Sequence, residues 1–126
     1  MNNLKTGAVG EDLAKRFLEN NGYEILDTNV KFSRFCEIDI IAKIKKTIVF
    51  VEVKTRKTDK FGIPAEAITP TKYQNIKKGI YFYLNDKNLK YDKIRIDAIS
   101  ITLKPELKIE HLENIWYGKI WSKFFL

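Results

Sequence analysis

One cysteine, one histidine, one methionine and three prolines are spread over 126 residues, and each scarcity removes a class of protein. A lone thiol, Cys36, rules out an internal disulfide and fits a reducing, cytoplasmic setting. One His, His111, and one Cys are too few ligands for a zinc cluster and too few parts for a supported Cys–His nucleophile. His111 reads as a strand residue, and Cys36 as a small buried hydrophobe. No apolar run approaches the ~18–20 residues of a membrane span. The first residues, Met1 to Lys15, do not follow the charged-then-apolar layout of a signal peptide. Glycine-rich phosphate loops and dinucleotide fingerprints are missing as well. With six glycines and no repeat or low-complexity segment, a single domain over residues 1–126 around one substantial core is expected.

What remains is globular and basic: 44% hydrophobic, 31% charged, net charge +7. Excess positive charge favours a polyanionic partner, because phosphate neutralisation supplies most non-specific nucleic-acid affinity. Of the 23 basic residues 19 are lysine, so a compositional bias toward lysine, isoleucine and asparagine is an equally open reading of the charge alone.

The pattern along the chain predicts alternating helices and strands. Residues from about Lys5 to Asn20 form an amphipathic helix closed by Asn21-Gly22. Its stripe of Gly7, Glu11, Ala14 and Leu18, with Gly10 beside it, would bring the backbone close to a sheet and turn Glu11 toward it. Tyr23–Val30, Phe35–Ile44 and the run from Ile48 onward read as three strands of a meander, the last two joined through Lys45-Lys46. A polar loop follows over Lys57–Pro64. Thr69-Pro70 starts a second helix, an N-cap before proline at the first helical position, with Tyr73, Ile76, Ile80 and Tyr83 as its apolar stripe. Tyr91–Leu103 is a fourth strand, able to join in parallel after a crossover, and Leu107–Trp116 adds a fifth. The aromatic end, residues 116–126, is a packing clasp or a partner contact.

The chemistry is signalled by charges inside strands that are otherwise core. Ile48, Phe50, Glu52 and Lys54 share one face of the third strand, and Val49, Val51 and Val53 share the other. A carboxylate and an ammonium thus continue a buried face, which is costly unless partners or a metal satisfy them. Asp39 repeats the oddity within Glu37-Ile38-Asp39-Ile40-Ile41, and Glu37 is a rival for its role. A salt-bridged strand end is the bland alternative for Glu52-Val53-Lys54. Phosphodiester hydrolysis uses a divalent cation on oxygen ligands. Asp39 and Glu52 on neighbouring strands could present two carboxylates at about the ~4.8 Å strand spacing, with Lys54 ~6.6 Å further along. Glu11 could complete the acidic set.

Taken together, several pieces resemble the YraN family of bacterial proteins. These are Gly7-x-x-Gly10-Glu11 with Ala14 and Leu18, Gly22-Tyr23, Asn29, Glu37-Ile38-Asp39, Val49 through Lys54 with Arg56, and Gly62, Pro64, Ala67 and Lys72. That family looks related to Holliday-junction resolvases of the PD-(D/E)xK nuclease superfamily. The resemblance implies an α/β, restriction-endonuclease-like core with a mixed sheet. It implies Asp39, Glu52 and Lys54 at a Mg²⁺ or Mn²⁺ site, Glu11 as a helix-borne acid, and Lys72 as a phosphate contact. By kinship it implies an endonuclease acting on DNA, branched DNA included, in repair or recombination, and working as a homodimer. One departure stands out, Cys36 where the family usually has glycine. A non-cleaving nucleic-acid-binding module on the same fold, with Lys54, Arg56, Lys57, Lys60 and Lys72 on the backbone, is the alternative. A scaffold recruiting a partner through the aromatic C-terminus is a third.

Overall fold

Local periodicity and the caps place every element within a few residues of expectation. The computed structural model describes residues 3–34, 36–58 and 70–115. Lys60, the stretch to Pro64, the Thr69 cap, Phe35 and the aromatic segment 116–126 lie outside the described residues.

Helix α1 spans Asn3–Asn20 and ends in paired turns that satisfy its last carbonyls: Tyr23 N–H donates to Leu18 O at 3.0 Å and Gly22 N–H to Glu19 O at 3.1 Å. Gly22 sits at φ +88°, a left-handed conformation that glycine adopts without strain. Strands β1 (Glu24–Ser33), β2 (Cys36–Ile44) and β3 (Thr47–Thr58) follow, then helix α2 (Pro70–Asp86), β4 (Lys93–Lys104) and β5 (Lys108–Leu112). The five strands lie in the order β1-β2-β3-β4-β5. β1, β2 and β3 form the expected antiparallel meander, β4 joins β3 in parallel, and β5 closes antiparallel to β4. A parallel neighbour requires a long crossover, and α2 provides it.

The helices cover opposite faces. Ala14 and Leu18 of α1 pack with Ile40, Val49, Val51, Ile99 and Ile101. On the other face Ile76, Ile80 and Tyr83 of α2 pack with Ile38, Ile41, Ile48, Phe50 and Ile96. The two-face reading of β3 therefore holds, since Ile48 and Phe50 face α2 while Val49 and Val51 face α1. This is the α/β arrangement with a mixed sheet expected of a restriction-endonuclease-like core.

Close approach of α1 depends on one glycine rather than two. A Cβ on Gly10 would lie 1.7 Å from Thr55 Oγ1 of β3, whereas one on Gly7 would meet nothing within 4 Å. No described helix is long and apolar enough to cross a membrane.

Candidate active site

Beyond Ile40↔Val51 the paired register of β2 with β3 stops. Asp39 takes over there: its carboxylate oxygen Oδ2 accepts the Val53 N–H at 2.8 Å. A side chain thus substitutes for a ladder bond where the two strands part. Glu52, one residue back on β3, is 5% exposed and forms an ion pair with Lys72 from the first turns of α2. That pair engages Oε1. The other oxygen, Oε2, is buried with no hydrogen-bond partner, an unusual and expensive condition for a carboxylate.

A cleft of about 460 Å³ opens over these groups. Glu37, Asp39 and Glu52 line it, and Lys31, Arg34 and Lys72 supply positive charge. Lys31 and Arg34 come from the β1 end of the meander. Cys36 also lines the cleft, with its thiol donating to the Asn75 carbonyl at 3.0 Å. Burial pushes that thiol's pKa up, so it remains a protonated donor. Cys36 is buried, as read from the sequence, but it is part of the cleft wall as well.

Electrostatics follow from the crowding. Burial, then the neighbouring Glu52 charge, raises the Asp39 pKa from 3.8 to about 7, against the Val53 N–H and Lys72, with Glu11 adding to the rise. Burial also raises Glu52, while Lys72 opposes the shift and Glu37 and Glu11 reinforce it. Glu11, half-buried on α1, is therefore close enough to be felt by both acids, as expected of a helix acid aimed at the sheet. Asn29 connects it to the meander. With its amide nitrogen turned toward them, Asn29 donates to Glu11 Oε2 and Glu37 Oε1, each at 3.1 Å. Asn29 holds φ at +50°, a conformation asparagine tolerates better than most residues.

Other expected site residues lie elsewhere. Lys54 is exposed, and neither it nor Arg56 nor Lys57 is among the cleft-lining residues. Lys72 is instead the cation beside the acids. Among the described residues no group of three or more Asp, Glu, His or Cys side chains converges as a ready-made metal cage. The donors nonetheless suit a hard cation. Mg²⁺ is held by one or two carboxylates with waters and phosphate oxygens completing its octahedron. Asp39 and Glu52 offer two such groups, one with an orphaned oxygen.

A second charged cluster was not read from the sequence, although its signal is the same. Arg95-Ile96-Asp97 places charges in the isoleucine-rich β4. Asp97 is completely buried. It accepts from Arg95 Nε at 2.9 Å and Nη2 at 2.8 Å, from the Asn114 N–H at 2.8 Å, and shares a 2.7 Å contact with His111 Nε2. Burial alone would raise its pKa, but these donors outweigh it and the pKa is lowered. His111 is thus a strand residue, as expected, and the structure adds Asp97 as its partner. Asp97 is saturated, while Glu52 keeps an open valence.

Comparison with known proteins agrees with the motifs. A model of an uncharacterised protein family, UPF0102, matches residues 10–101. A UPF0102 protein of Syntrophus aciditrophicus is 49% identical over 121 residues, covering 93% of this chain and 94% of that protein. Relatives from Alkaliphilus oremlandii (44% identity; 89% of this chain, 97% of the relative) and Dictyoglomus turgidum (43%; 90% and 98%) match at similar length. The chain belongs to UPF0102. This is the YraN family to which the glycine, acid and lysine spacing pointed. Membership in UPF0102 spans both helices' packing residues, Asp39, Glu52 and Lys72.

Proposed function

We propose that the protein is a divalent-metal-dependent endonuclease that hydrolyses DNA phosphodiesters, with branched DNA among its substrates. One observation carries this reading: a buried Glu52 with an unpartnered oxygen beside Asp39, in a cleft rimmed by Lys31, Arg34 and Lys72. A net charge of +7 supports a polyanionic substrate.

Asp39 and Glu52 are the residues that would hold the cation, and Glu11 and Glu37 stand behind them. When bound, Mg²⁺ or Mn²⁺ supplies polarisation of the phosphate and a lowered pKa for the attacking water. Lys72 is close enough to exchange its contact with Glu52 for one with a phosphate oxygen. Lys31 and Arg34 orient the incoming backbone. Val53 N–H holds one oxygen of the Asp39 carboxylate, which lines the cleft.

A second reading, a module that binds nucleic acid without cutting, is favoured by the Lys72–Glu52 pair, which already neutralises one acid. Labelled four-way, flapped and single-stranded DNA incubated with and without Mg²⁺ or Mn²⁺ separates the two. Metal-dependent cleavage lost in both Asp39→Ala and Glu52→Ala is the expected result. Chelator-insensitive binding with no cleavage on any substrate would establish the second reading instead.

A further inference from the structure

A second groove, about 570 Å³, runs beside the cleft. Its walls are the successive residues Asp27 to Phe32 of β1 and Phe82, Tyr83, Asp86 and Lys87 of α2. Successive residues of a strand point to opposite faces, so all of them border one groove only where it follows the strand's edge. β1 is indeed the outer strand of the sheet, and an outer strand leaves backbone N–H and C=O groups free to pair. Lys31 lines both the groove and the cleft, so the two adjoin at that residue.

The groove combines an exposed aromatic face with cations. Phe82 is 58% exposed and Tyr81 67%; the two meet edge to face at 5.8 Å, so Tyr81 can cover at most one face of Phe82. Lys31 and Lys87 line the walls, and Lys77 and Lys78 lie exposed on the same helix. Asp27 and Asp86 line the groove too. Carboxylates repel phosphate but accept hydrogen bonds from base N–H groups, the N3–H of thymine among them. Such a mixture suits a strand with its bases turned inward rather than a duplex backbone. An aromatic face can stack only a base that has left its duplex stack.

We propose that this groove holds an unpaired DNA strand leading into the cleft, one base stacked on Phe82 and backbone phosphates on Lys31 and Lys87. The proposal deepens the nuclease reading and rests on it for the direction of the strand. From Lys72 to Phe82 along α2 is ~15 Å, room for about four nucleotides at the ~3.4 Å spacing of a stacked strand. Gly79 supports the junction: a Cβ there would lie 2.7 Å from the Phe32 ring and 3.0 Å from Cys36 Sγ, so its lack of a side chain lets Phe32 lie against α2.

The test is equilibrium binding of fluorescein-labelled oligo(dT) and of a blunt duplex of equal length, with chelator present so that nothing is cut. Phe82→Ala is expected to weaken oligo(dT) binding by about fivefold to 150-fold, the range for one stacked base, and duplex binding by less than about twofold. Phe82→Trp should restore the affinity, and Lys87→Gln should lower the salt slope by ~0.7. Equal losses on both ligands, or none on oligo(dT), would overturn the proposal. So would a preference for the matching RNA strand, or a dimer that dissociates in Phe82→Ala. Phe82-dependent binding by a protein that cuts no DNA would support the groove and sink only the nuclease reading. Cleavage together with Phe82-independent binding would sink only the groove.

Discussion

Replacing Asp39 with asparagine should stabilise the metal-free protein at mildly alkaline pH. In the folded state burial and the Glu52 and Glu11 charges lift the Asp39 pKa from 3.8 to about 7. A carboxyl raised in this way favours folding fully below its unfolded pKa, and that contribution is lost as pH rises through the folded value. At ~1.36 kcal/mol per pH unit, three units of displacement put the cost of the charge at roughly 4 kcal/mol at about pH 8. Asparagine removes the charge and keeps an oxygen for the Val53 N–H. A neutral acceptor bonds more weakly than a carboxylate, so about half that cost, ~2 kcal/mol, should be recovered. For a domain of this size that corresponds to a Tm rise of ~6–10 °C. Thermal unfolding followed by circular dichroism at about pH 5 and pH 8 reads it directly. Wild type should lose stability between the two pH values, and Asp39→Asn should lose much less. Millimolar Mg²⁺ should raise the wild-type Tm at the higher pH and leave Asp39→Asn unchanged. A variant no more stable than wild type at the higher pH, or equally stabilised by metal, would refute the reasoning.

Three further outcomes follow from the packing and the ion pairs. Gly10→Ala should destabilise by about 1–3 kcal/mol through its clash with Thr55, whereas Gly7→Ala, with open space around it, should stabilise by about 0.5–1 kcal/mol; chemical denaturation of the pair that shows equal effects would contradict the geometry. Asp97→Asn should cost about 3–5 kcal/mol because Arg95 loses its buried partner. In wild type the contribution of Asp97 is present at neutral pH and is lost as pH falls below the ordinary 3.8, so acid titration of the unfolding midpoint checks the sign. Lys72→Ala leaves Glu52 buried without a counter-ion and should cost about 1–3 kcal/mol in urea unfolding. It should also tighten Mn²⁺ binding in calorimetry, since Lys72 occupies Glu52 in the metal-free state; weaker Mn²⁺ binding would show that Lys72 does not compete.

The sequence reading and the structure part company at identifiable residues. Lys54 was expected next to the acids from strand spacing, yet the neighbouring cation is Lys72, from a helix. Asp39 and Glu52 were expected on neighbouring strands; that the paired register of β2 with β3 ends at Ile40, where the Asp39 carboxylate binds Val53 N–H, was not expected. Gly7 and Gly10 looked alike as small helix residues, and only Gly10 meets a neighbour. Arg34 and Lys31 carried no signal at all, because surface lysines and arginines are common and nothing local marks those that rim a cleft.

Helix and strand order, the two faces of β3, the cap at Gly22 and the anomaly of acids within apolar strands were all legible from the chain alone. Each depends on residues a few positions apart, where backbone geometry alone dictates which side chains share a face. Whether a buried acid is saturated, as Asp97 is, or left with an open oxygen, as Glu52 is, could emerge only from the fold. Arg95, His111 and Asn114 come to Asp97 from two strands and the segment after β5, and Lys72 reaches Glu52 across the β3–α2 connection. Partners brought together over such separations are chosen by packing of the helices on the sheet, which no local pattern encodes.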